Sequence, residues 1–112
     1  MDERLEERCK TLILGRRFEE CEKEIEAAMA KEPHSAIPHN LMGALMEAKK
    51  NHVLAMKHFR AAYELDPTYA PGRFNLEQCG VLRREPNQCA YTEADCREQA
   101  GERGFESYDK EK

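Results

Sequence analysis

The sequence contains no run approaching the roughly 18 to 20 consecutive apolar residues that a membrane-spanning helix needs. Residues 1–10 are acidic and polar instead of basic and then apolar, so no export signal is read there and a soluble, cytoplasmic chain is expected. It also lacks an excess of positive charge: 18 Lys and Arg stand against 22 Asp and Glu, and the two signs are interspersed. The local pair Arg16-Arg17 is followed at once by Glu19, Glu20 and Glu22, which weakens any field that would draw phosphates, so nucleic acid is not expected as a partner. There is no glycine-rich phosphate loop and no nucleophile elbow, and the four histidines, His34, His39, His52 and His58, do not form the i, i+4 pair of a metalloenzyme helix. The five cysteines are an odd number without an export signal, which disfavours a disulfide framework and suits a reducing compartment. With 112 residues there is room for one small domain and little for an enclosed catalytic pocket. Neither a cofactor nor a metal is expected, and binding is expected in place of catalysis.

What the sequence does contain is a period. Lys31-Glu32-Pro33 and Leu65-Asp66-Pro67 place equivalent prolines one 34-residue step apart, and aligning on them sets Gly43 under Cys9, Ala55 under Cys21, Phe59 under Ile25 and Ala62 under Ala28. Each segment carries apolar residues at helical spacing and ends at a breaker. Leu5, Cys9, Leu12 and Ile13 form a stripe up to Gly15, and Phe18, Cys21, Ile25, Ala28 and Met29 form one stopped by Pro33. Ser35 is a natural N-cap for a third helix with Ile37, Leu41, Leu45 and Met46 on one flank, ending at Lys49-Lys50-Asn51. Val53, Met56, Phe59, Ala62 and Tyr63 mark a fourth helix, stopped at Asp66-Pro67, and a fifth is predicted from about Ala70 to Arg84.

Met42-Gly43, Met46, Ala55-x3-Phe59, Ala62 and Pro67 together resemble the tetratricopeptide repeat family, with His39 standing where that family usually has a large aromatic. The first unit is a degenerate copy, with Arg8 in place of an expected leucine, and only the leading helix of a third follows Pro67. The resemblance implies an all-α fold: a right-handed superhelical stack of antiparallel helix pairs, two repeats plus a closing helix, over residues 1–85. Small residues are then expected where paired helices cross, Gly43 with Ala55 and Cys9 with Cys21, which makes both thiols ordinary core residues. It further implies a protein-interaction module that holds a short peptide or partner protein on the concave face lined by the first helix of each pair. The inward positions are Glu3, Glu6 and Lys10, then Ile37, Asn40, Ala44 and Glu47, with Phe74, Gln78 and Val81 extending the strip on the closing helix. Members that clamp the acidic tails of chaperones do so with Lys, Asn and Arg; the corresponding positions here, Glu6, Lys10, Leu41, Pro71 and Asn75, mostly carry other residue types, and a glutamate would repel a carboxylate.

Residues 86–112 lose helical periodicity and carry 4 basic against 7 acidic residues, so they read as a flexible or partly ordered acidic tail. Cys89 and Cys96 within it are read as two thiols in a loose segment, since C-x6-C is not a zinc spacing and no histidine accompanies them. Two alternatives stand beside peptide binding: self-association into a homo-oligomer, because about three repeats are usually needed for a stable stack, and a thiol or metal function of the tail.

Overall fold

The computed structural model describes the backbone of residues 2–79, 89–92 and 94–96, and the side chains of 5–78, 89–92 and 94–96. Five helices follow one another: α1 (Asp2–Leu14), α2 (Phe18–Lys31), α3 (Ala36–Ala48), α4 (His52–Leu65) and α5 (Ala70–Cys79), with a single helical turn at 94–96 and no strand among the described residues. The predicted continuation of α5 to Arg84, and the inward position Val81 on it, lie outside the described residues.

The helices stop where the sequence breaks. α1 and α3 end the same way: Arg17 N–H donates to Leu12 O and Arg16 N–H to Ile13 O, and one period later Asn51 N–H donates to Met46 O and Lys50 N–H to Glu47 O. Both pairs form Schellman closures, which need a left-handed residue, and Arg16 (φ 62°) and Lys50 (φ 67°) supply it. α2 and α4 also end alike, with Glu32 N–H donating to Ala28 O and Asp66 N–H to Ala62 O, then Ser35 N–H to Glu32 O and Tyr69 N–H to Asp66 O. The 34-residue repeat is therefore carried by the turns as well as by the core columns. At the following N-termini Ser35 Oγ accepts from Ile37 N–H at 3.3 Å, and Asn51 Oδ1 accepts from Leu54 N–H at 3.2 Å.

The connections leave consecutive helices antiparallel. Across α3 and α4, Glu47 at the end of α3 meets His52 at the start of α4, while the earlier Gly43 and His39 meet the later Phe59 and His58, so the two helices run in opposite senses. Cys9 faces Cys21 and Arg8 faces Glu24 across α1 and α2 in the same sense. Each helix packs on the next, and α3 also touches α1 and α5, so the odd-numbered helices share a layer.

The core is continuous through Cys9, Leu12, Cys21, Ile25, Leu41, Leu45, Ala55 and Phe59. Val53 and Tyr63, placed by their spacing on the apolar stripe of α4, are exposed instead, because α4 turns Ala55, Phe59 and Ala62 inward and those two fall outside that arc. Cys9 and Cys21 are fully buried and free, with Cys21 Sγ 3.9 Å from Cys9 O; the hydrogen bond with Cys9 and burial push the Cys21 thiol up, so it stays protonated.

At the α3–α4 crossing the close neighbour of Gly43 is the ring of Phe59. A Cβ on Gly43 would lie inside contact distance of Cδ1, Cε1 and Cζ, the last at 2.9 Å. The ring is fully buried and has nowhere to retreat. Alanine favours an isolated helix over glycine by about 1 kcal/mol, but overpacking a filled core costs about 1 to 3 kcal/mol. Gly43→Ala is therefore expected to lower the melting temperature by several degrees, and Gly43→Leu by more; a Tm that holds or rises on thermal unfolding would show that the crossing has slack.

His39 and His58 stack between the same helices with ring centroids 5.6 Å apart and Nδ1 to Nδ1 at 3.4 Å, a contact that needs at least one neutral ring. Burial holds both imidazoles below the ordinary value of 6.5, and His39 lowers His58 further. Below pH 6.5 the unfolded chain then binds more protons than the folded one. The stability contributed by the neutral pair is complete above that pH and is lost as acidification carries the solution down through the folded-state values. Melting temperature against pH between 7.5 and 5 should fall, and His39→Phe should flatten the fall; parallel curves for the two proteins would count against the pair as its source.

Candidate binding face

The layer of α1, α3 and α5 is not bare. Residues 89–92 of the chain itself lie on it, with Cys89, Ala90 and Tyr91 buried and Cys89 and Tyr91 continuous with the core around Cys9, Cys21 and Leu41. The sequence reads Cys89 as a thiol in a loose tail. Packing against the helices gives it a buried place that no local pattern signals.

Two asparagines hold this segment. Asn75, on α5, pairs its carboxamide with both main-chain groups of one residue: Nδ2 donates to Ala90 O at 2.8 Å and Oδ1 accepts from Ala90 N–H at 2.7 Å. Asn40, on α3, donates from Nδ2 to the same carbonyl at 3.1 Å, and its Oδ1 accepts from Asn75 Nδ2 at 2.8 Å. Both side chains are essentially inaccessible, 0% and 1% exposed, where unmet amide groups would be costly. An amide that takes the N–H and C=O of one residue recognises main chain, as a neighbouring β-strand does.

Beyond Ala90 the segment turns. Thr92 Oγ1 accepts from Asp95 N–H at 3.2 Å while Asp95 Oδ2 accepts from Tyr91 N–H at 2.9 Å and Thr92 N–H at 3.1 Å. This reciprocal capping box starts the turn at 94–96. It also aims the other oxygen of Asp95 at Lys10 on α1: Nζ donates to Oδ1 at 2.7 Å and lies 5.8 Å from the Tyr91 ring centroid. Tyr91 is 1% exposed, and its hydroxyl has no hydrogen-bond partner among the described residues. Burial pushes its pKa far above the ordinary phenol value, with Cys89 and Asp95 adding to the shift.

The inward residues expected from the sequence divide into groups. Lys10 and Asn40 touch the segment directly. Glu6, one turn before Lys10, is buried and accepts a short hydrogen bond from the Tyr69 hydroxyl, so its carboxylate ties α1 to the turn before α5. Ala44 is fully buried on α3 one turn beyond Asn40. Glu47 is also buried, at the far end of α3, and pairs with His52 Nδ1 at 2.7 Å instead of facing a partner. Ile37 lines a separate cleft of about 320 Å³ with Leu5, Ala28, Lys31 and Pro38. Phe74 and Gln78 are half-buried on α5, and the side chain of Glu3 lies outside the described residues. Asn75 is the residue of greatest consequence that the inward positions omit; it stands among the positions that match a carboxylate clamp, while its amide meets a peptide bond.

Among the described residues no three His, Cys, Asp or Glu side chains converge as metal ligands, and no helix is long and apolar enough to cross a membrane. Comparison with family models, curated proteins and solved structures finds no match in any of the three.

Removing the Asn75 carboxamide deletes both bonds to Ala90 and leaves Asn40 and the Ala90 N–H under-satisfied in a buried place, at a cost of about 2 to 3 kcal/mol. Asn75→Ala should accordingly lower Tm and bring the Ala90 amide to the hydrogen-exchange rate of an open loop, while Glu77→Ala on the exposed side of α5 leaves that amide protected. Equal protection in both variants would mean that the clamp does not hold the segment.

Proposed function

We propose that the chain is a protein-interaction module of the tetratricopeptide type, a right-handed stack of helix pairs whose α1–α3–α5 face binds a short extended peptide of another protein. The observation that carries this reading is the Asn75 carboxamide engaging both main-chain groups of Ala90 with Asn40 beside it. A face that holds one segment through the main chain of Ala90 has the chemistry to hold another, with affinity drawn from main chain and specificity from the flanking sites. The segment also spans all three odd-numbered helices, from Asn75 on α5 through Asn40 on α3 to Lys10 on α1. The groups gathered on the face are main-chain hydrogen-bonding amides and a single cation, which supports binding as the reading.

Panning a displayed random-peptide library against the full-length protein tests this. Enriched peptides should bind Asn75→Ala at least tenfold more weakly, given two hydrogen bonds of about 1 kcal/mol each and the unmet groups left behind, and should bind Glu64→Ala, on the exposed side of α4, unchanged. Enriched peptides indifferent to Asn75 would place binding elsewhere. Light scattering that grows with concentration and vanishes in Asn75→Ala would instead make the occupant the 89–96 segment of a second copy, which is self-association.

A further inference from the structure

Given the peptide-binding reading, on which this rests, we propose that residues 89–96 are a built-in competitor for the face, and that they give way to a peptide with a small residue, then phenylalanine, then an acidic residue four positions after the phenylalanine. The pattern follows from three features of the docked segment. Ala90 is fully buried between Asn40 and Asn75, which leaves no room for a larger side chain at that point. Next comes a deep site filled by the Tyr91 ring, continuous with the core at Cys9, Cys21 and Leu41. Four residues on, a carboxylate meets Lys10 at 2.7 Å.

The second site is imperfectly filled. The Tyr91 hydroxyl is buried without a partner among the described residues, and a buried unmet hydroxyl opposes docking. Phenylalanine fills the same space without that penalty. The chain's own segment is thus a weaker ligand than its phenylalanine counterpart, and it holds the face through covalent attachment, which makes a tethered segment compete at an effective concentration on the order of millimolar. A separate peptide of the better composition has to overcome only that advantage. Lys10 adds charge selection, because the site it leaves on release of Asp95 is a single cation at the rim of an apolar pocket.

The experiment uses the full-length protein under reducing conditions, with fluorescently labelled synthetic peptides of residues 87–97 carrying the natural sequence, Tyr91→Phe, or Asp95→Asn. Anisotropy titrations are run on the wild type and on Tyr91→Ala/Asp95→Asn, whose own segment is weakened. The natural peptide should bind this variant at least tenfold more tightly than it binds the wild type. On the variant, the phenylalanine peptide should bind roughly fivefold to a hundredfold more tightly than the natural one, and the asparagine peptide more weakly. Equal affinity for the two proteins, or no advantage of phenylalanine over tyrosine, overturns the proposal. Should the variant fail to fold, excess phenylalanine peptide added to the wild type is expected to raise amide exchange across 89–96, and unchanged exchange overturns it. If library-selected peptides bind through Asn75 and the 87–97 peptides do not, the competitor fails while the binding reading stands; if no peptide of either kind binds, both fall.

Discussion

Everything in this molecule is arranged around the burial of α3. Ala36, Pro38 and the whole run from Asn40 to Ala48 are buried, so the helix keeps little surface for solvent beyond Ile37 and His39 near its start. A helix buried all round must be covered from every side. α4 covers one flank through the Gly43–Phe59 crossing, α2 another, and α1 and α5 lie beside it. The remaining face is closed by residues 89–92. That closure also settles the strongly polar side chain in the middle of the helix: Asn40 is fully buried, and among the described residues Asn75 and the Ala90 carbonyl meet its hydrogen-bonding groups.

The same requirement explains why so short an array can be stable. Two helix pairs and a further helix leave the layer of α1, α3 and α5 open on its outer side, and further helices would lengthen that layer without covering it. Here a short segment supplies that cover and contributes Cys89 and Tyr91 to the core. On the proposed peptide-binding reading, folding and recognition would share one place, because the groups that hold residues 89–92, Asn40, Asn75 and Lys10, are those with which the face would hold a ligand.

The helices were legible in the sequence because their signals are local. Ser35 caps where a cap was expected, Gly15, Pro33 and Pro67 sit at the breaks, and the 34-residue step recurs in the turn hydrogen bonds. Lys10 and Asn40 were legible as inward positions because the repeat assigns each helical residue a direction. The rest of the site was hidden for a physical reason. Residues 86–112 carry no periodicity, and pairing between an asparagine amide and a peptide bond leaves no trace in hydropathy. One signal was available, Thr92-x-x-Asp95, a capping box in a segment otherwise read as loose, and it marks the turn that aims Asp95 at Lys10.

By itself, then, the sequence determined α1 to α4 with their ends and the start of α5, since propensity, caps and apolar spacing act within a few residues of chain, while the helical residues 94–96 went unread. Only the tertiary structure decided what covers α3, that Glu6 meets Tyr69, and that Asn75 faces a peptide bond. Those outcomes depend on contacts between residues far apart along the chain, 63 apart for Glu6 and Tyr69 and 85 apart for Lys10 and Asp95. No local rule reaches that far; the need to satisfy every buried polar group does.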